Sequence, residues 1–150
     1  SSFLYATYTS DGYDTLTFTL ETRGLQYAKF EAGVNGTVGL GVFATRVVDR
    51  DFWIQDVQTG LGSTGLYTNT TVDVHVGAAG TTPTSIFTDQ TRRPVIVGGD
   101  PDYTTDASGA PDTNRTVPAG WMLFFEVDGV ATSALDLAAV VRGRYCDITA

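Results

Sequence analysis

A chain of 150 residues, 42% of them hydrophobic, has the length of one domain and can bury a full core without a disulfide or metal to support it. Its charged fraction of 17% lies below the usual level of about 25%, so the polar surface must be built largely from hydroxyls and amides. A net charge of −8 argues against nucleic acid and anionic membrane as partners, since both select basic faces, and the single cysteine, Cys146, excludes an internal disulfide.

The chain opens with Ser1-Ser2-Phe3-Leu4-Tyr5, which lacks the basic and apolar regions of a signal peptide, and no run reaches the length of a membrane-spanning helix. A small, complete, soluble protein is expected. Residues 1–15 mix the aromatics Phe3, Tyr5, Tyr8 and Tyr13 with the turn residues Ser10, Asp11 and Gly12, which suits either an N-terminal arm docking on a neighbour or a plain edge strand. Strict alternation follows in Thr15-Leu16-Thr17-Phe18-Thr19-Leu20, with Leu16, Phe18 and Leu20 on one face of a half-buried strand.

Strands are expected next at residues 26–32, 38–46 and 52–59, and residues 60–65, Gly-Leu-Gly-Ser-Thr-Gly, read as a loop. Thr71-Val72-Asp73-Val74-His75-Val76 alternates again, placing the valines inward and His75 on a solvated polar face. Strands at 84–88 and 94–97 precede a long loop over 98–118. Then come Trp121-Met122-Leu123-Phe124-Phe125-Glu126-Val127, with Trp121, Leu123, Phe125 and Val127 inward, and a final strand at 135–144. Eight to ten strands without intervening helices point to a single all-β domain over residues 1–150. An antiparallel β-sandwich with jelly-roll or related Greek-key topology is predicted.

Chemistry is sparse in this inventory. The sole histidine, His75, has no evident base or nucleophile partner, and one His with one Cys falls short of a zinc ligand set. Asp100-Pro101-Asp102-Tyr103-Thr104-Thr105-Asp106-Ala107-Ser108 resembles a calcium loop, but Thr105 and Pro111 replace the required Gly and Glu. An Asp-rich turn is the simpler reading. Glu21, Glu31 and Glu126 could supply a carboxylate pair, though nothing in the sequence sets two of them face to face. Val97-Gly98-Gly99-Asp100 is too short for a phosphate loop. Three Asn-X-Thr sequons, at Asn35, Asn69 and Asn114, are expected by chance in a Thr-rich chain. Trp53 and Trp121 with the tyrosines could form a sugar-stacking platform. No catalytic residue, cofactor or metal is expected, and no enzymatic activity.

From Val48 onward the order of features resembles a β-sandwich module of tailed-bacteriophage virion proteins. The residues that carry the likeness are Asp73-Val74-His75-Val76, then Thr84-Ser85-Ile86-Phe87-Thr88, then Arg92-Arg93-Pro94-Val95-Ile96-Val97-Gly98-Gly99. After the Thr-rich loop they continue as Val117-Pro118-Ala119-Gly120-Trp121-Met122-Leu123-Phe124-Phe125-Glu126-Val127-Asp128 and close with Ala134-Leu135-Asp136-Leu137-Ala138-Ala139-Val140-Val141. The likeness covers about two thirds of the chain, and only the order of its pieces is informative. It implies a capsid decoration protein, most similar to head cement proteins, on the outer surface of the virion head after synthesis in the host cytoplasm. The implied partners are the major capsid protein and further copies of the chain, as a homotrimer. The contact residues expected on this reading are Phe3, Tyr5, Tyr8, Tyr103 and Asp106. A carbohydrate- or receptor-binding module of a tail tip or fibre is the alternative.

Overall fold

The structure, a computed structural model, describes residues 3–10, 14–21, 26–99, 106–113 and 115–148, the first two stretches as backbone. Twelve strands form three antiparallel sheets among these residues. β1 (Phe3–Ser10) and β2 (Asp14–Glu21) make a two-stranded hairpin. The rest builds the expected all-β sandwich from two packed sheets.

Three long strands form the body of each sheet. In the first, β12 (Leu135–Tyr145) lies between β3 (Tyr27–Thr37) and β5 (Phe52–Ser63). In the second, β11 (Met122–Gly129) lies between β4 (Gly41–Val47) and β6 (Thr70–Gly77). Among these six long strands the chain crosses between the sheets at β3–β4, β4–β5, β5–β6 and β11–β12, so sheet neighbours are distant in sequence, as in Greek-key sandwiches. Short strands share the far edge of each sheet. β9 (Asp106–Gly109) and β10 (Thr116–Val117) pair with β5, and β7 (Thr84–Ser85) and β8 (Val95–Ile96) pair with β6.

Alternation fills the space between the sheets. Val72, Val74 and Val76 of β6 and Leu123, Phe125 and Val127 of β11 point inward against Phe52, Ile54 and Val57 of β5 and Leu137, Ala139 and Val141 of β12, all buried. Phe30 meets Phe52 edge-on, with ring centroids 5.2 Å apart, a geometry that favours the pair beyond area alone. Trp121 precedes β11 and is half-buried, packed against this core.

Several boundaries depart from expectation. Residues 60–63 are strand and not loop: Gly60, Leu61 and Ser63 pair with Ala138, Leu137 and Leu135. A bulge places Asp136 at φ +59°, where its carboxylate accepts from the Gly36 amide at 2.7 Å. Any side chain at position 62 would meet Asp136 Cβ at 2.9 Å, so the glycine that reads as a breaker is what lets the strand pass the bulge. The strand expected at 38–46 begins only at Gly41, because 38–40 make the crossing between sheets and the Val38 amide donates to Ala134 O. The expected strand at 84–88 stops at Ser85. There the serine hydroxyl accepts from the Phe87 amide at 3.0 Å and turns the chain, an ST turn competing with the ladder. Likewise the loop over 98–118 contains β9 and β10.

The two flanks of the sandwich differ. On one, the short strands and the segment around the 3-10 turn Gln90–Arg92 cover the sheet edges. On the other, β3 pairs only with β12 and β4 only with β11 among the described residues. Arg46 bridges this open flank by donating from Nε to Glu31 O at 2.9 Å.

Candidate functional site

The outer face of the β11 sheet carries a close cluster of ionisable groups. Antiparallel register aligns three rows of outward residues: Asp73, Glu126 and Val42; His75, Phe124 and Thr45; and Gly77, Met122 and Val47. Asp73 is 1% exposed although it points away from the core, because the segment after β7 folds over it. Its Oδ1 accepts from the Val74 amide and from Ser85 Oγ, each at 2.7 Å. Ser85 Oγ accepts in turn from Gln90 Nε2 at 3.0 Å.

His75 Nε2 stands 3.3 Å from Asp73 Oδ2 and 3.4 Å from Glu126 Oε2, so one ring nitrogen faces two carboxylates. Arg93 closes the far end, donating to Asp128 Oδ2 at 2.6 Å and to Gln90 O at 2.8 Å. Burial pushes the Asp73 carboxyl above its ordinary value, against the opposing pull of Ser85 and His75. Its hydrogen bond with Asp128, and then burial, push Glu126 up as well. The arrangement can store a proton at pH values where a solvated carboxyl would have lost it. Ser85, Asp73 and His75 are the residue types of a nucleophilic triad, but the order is wrong. The hydroxyl is bonded to the carboxylate and not to the imidazole, so these side chains do not assemble the Ser–His–Asp relay.

Beside these charges the face is apolar. Val47 is 60% and Val42 55% exposed, and Met122 and Phe124 are half-buried. An antiparallel sheet with one face in solvent normally alternates to polar residues there.

A second apolar surface occupies the end of the sandwich where β3, β5 and β11 finish. The Gly99 amide donates to Gly65 O and the Leu66 amide to Thr132 O, drawing residues 65–69, 97–99 and 130–134 together. Leu40, Leu66, Tyr67 and Val97 are exposed here. Tyr67 is held at φ +73° with 86% of its surface in solvent, and a bulky residue in that backbone region is a local strain that its surroundings must enforce.

The outer face of the β12 sheet forms a shallow groove of about 760 Å³ whose floor is Gly33, Ala138 and Gly60 and whose polar groups include Glu31, Gln58, Asp106 and Ser108. No aromatic side chain lines it among the described residues. The sugar-stacking role considered for Trp53 meets an obstacle, since the guanidinium groups of Arg115 and Arg144 lie 5.0 and 4.8 Å from its ring centroid. Trp121 is turned to the core.

Of the contact residues expected from sequence, Asp106 is exposed at the start of β9 and lines this groove. Phe3, Tyr5 and Tyr8 lie on β1, where Phe3 pairs with Glu21, Tyr5 with Thr19 and Tyr8 with Leu16, so Tyr8 falls on rows of the opposite parity. Tyr103, with residues 100–105 of the acidic loop, lies outside the described residues. His75 is not the solvated residue expected: its side chain is 25% exposed and lies between two carboxylates. Among the described residues no group of three or more His, Cys, Asp or Glu is arranged to hold a metal. Cys146 is free and partly buried, and burial, with Asp51 and Asp147, raises its thiol above the ordinary value.

No protein family, curated protein or solved structure matches this chain.

Proposed function

We propose that this protein works by binding and not by catalysis, as a capsid decoration protein of a tailed phage that attaches to the outer head surface and stabilises the shell by bridging subunits of the major capsid protein. The observation that carries this reading is the apolar loop end. In a chain of net charge −8, Leu66, Tyr67 and Val97 stand exposed together, and the fold holds Tyr67 outward in a strained backbone conformation. Exposed aromatic anchors ringed by polar residues are how protein-binding surfaces concentrate their energy. The same end holds the root of the loop over 98–118, through Gly98 and Gly99.

The test is co-sedimentation of the purified chain with undecorated phage heads. The wild type is expected in the pellet and Tyr67→Ala in the supernatant. A wild-type chain that stays in the supernatant would overturn the assignment.

The groove on the β12 sheet favours a second reading, a carbohydrate- or receptor-binding module of a tail tip or fibre. Glu31, Gln58 and Asp106 could satisfy sugar hydroxyls above a floor of small residues, although ligand sites of this kind usually add an aromatic wall. Binding to a glycan array that Gln58→Ala abolishes would support it.

A further inference from the structure

The groove on the outer face of the β12 sheet does not stop at its floor of small residues. Tyr27, Lys29, Glu31 and Gly33 share one face of β3, because Ala28, Phe30 and Ala32 between them turn to the core. On β12, Val140 and Arg142 pair with Glu31 and Lys29 and continue that outward face. A second hollow of about 540 Å³, lined by Tyr27, Lys29, Gln55 and Arg142, therefore adjoins the first. From Tyr27 to Gly33 the two run about 20 Å along β3 at ~3.4 Å per residue. The aromatic wall that the first hollow lacks stands in the second, where Tyr27 is 74% exposed.

Two ion pairs mark the seam between the hollows. Lys29 Nζ lies 2.9 Å from Glu31 Oε1, and Arg142 Nη2 lies 2.6 Å from Asp56 Oδ2, so both cations that line the track are already paired. Farther along, Gln58, Asp106 and Ser108 line the first hollow, and their side chains have no hydrogen-bond or ion-pair partner among the described residues. The carboxylate of Asp106 can only accept, whereas the Gln58 amide and the Ser108 hydroxyl can both donate and accept. A fitting ligand therefore offers closely spaced hydroxyls to these groups and an apolar flank to Tyr27, and a sugar chain offers both. An added peptide strand does not fit, since β12 is paired on both sides along the track. An acidic sugar would meet Glu31 and Asp106 without a free cation to receive it.

We infer that the two hollows form one continuous track for a neutral, linear oligosaccharide, whose hydroxyls are held over Gly33, Gly60 and Ala138 and whose far end stacks on Tyr27. The inference rests on the carbohydrate-binding reading of the groove and adds to it the aromatic subsite, the charge of the ligand and its length. The loop end bearing Tyr67 contributes no residue to the track, so sugar binding and head binding are read apart.

The probe is an array of neutral and uronic-acid oligosaccharides of graded length, followed by calorimetry of the full chain with each glycan retained and with its disaccharide fragment. The retained glycans are expected to be neutral and to bind more tightly than their fragments. Tyr27→Ala is expected to weaken the long glycan about tenfold and to leave the fragment as in the wild type, and Tyr27→Phe to keep the wild-type affinity. Tyr27 is mostly exposed, so the alanine variant keeps the fold. A Tyr27→Ala protein that binds the long glycan as the wild type does, or acidic glycans retained as well as neutral ones, overturns the inference while a loss in Gln58→Ala leaves the groove reading standing. No glycan retained at all overturns both.

Discussion

The two outer faces of the sandwich share a three-strand plan and are finished in opposite ways. On the β12 sheet, large groups other than Tyr27, which is 74% exposed, are tied to neighbours within the face. Arg142 grips Asp56 across the strand pair with two hydrogen bonds of 2.8 and 2.6 Å, Arg115 and Arg144 lie on Trp53, and Ala138 and Gly60 leave the centre bare. On the β11 sheet, the polar groups are drawn under a covering segment around Asp73, while Val42, Val47, Met122 and Phe124 remain uncovered. The first face is polar or bare apart from Tyr27 at its edge. The second has the composition of a surface that is covered in use, and the lesson is that total exposed apolar area says less than whether its polar neighbours are already satisfied.

Substitutions can break this contrast at several depths. The largest effect is expected beneath the β12 face, at Gly143, where a Cβ would meet Trp53 O at 1.9 Å. Both atoms belong to backbones locked in the ladder, so Gly143→Ala should cost about 3 kcal/mol or more in urea denaturation. Next comes the matched pair of aspartates. Asp73→Ala strips a buried acceptor from Ser85 and Val74 and should cost about 1–3 kcal/mol. Asp56→Ala breaks a half-exposed ion pair and should cost no more than about 1 kcal/mol. Equal losses at the two positions would contradict the contrast between the faces.

A smaller effect is a pH slope. Asp73 and Glu126 have carboxyls raised in the fold, so the folded state holds protons that the unfolded chain releases. Stability should therefore increase as pH falls through the raised values toward the ordinary carboxylate range, and Glu126→Gln should flatten that rise. Asp89 acts oppositely. Its carboxyl, lowered chiefly by the Thr91 hydroxyl and amide, contributes stability that disappears at still lower pH. Denaturation midpoints between pH 3 and 7 check both signs. Smallest of all, Val47→Asp should leave stability within about 0.5 kcal/mol, because the side chain is an exposed surface group.

Much of the fold was legible because period-2 alternation in Val72-Asp73-Val74-His75-Val76 and in Leu123 to Val127 reports a face directly. Glycines misled where they serve a strand: Gly60 and Gly62 look like breakers yet both lie in β5, and at Gly62 the reason, a side chain's clash with Asp136 Cβ, lies more than 70 residues away. Ser85 ended a strand early through a side-chain bond that propensity does not count. The site was far less legible. Alternation correctly turned His75 away from the core, but whether it meets water or carboxylate depends on the register of β6 against β11, which local sequence does not encode.

The most direct test uses Met122, the single methionine and a member of the uncovered strip. Its oxidation by dilute peroxide, followed by mass spectrometry with undecorated phage heads present and absent, reports whether the outer face of the β11 sheet becomes covered on binding. Protection by heads in the wild type that is weakened in Val47→Asp is the predicted result; a rate that heads leave unchanged would contradict the account.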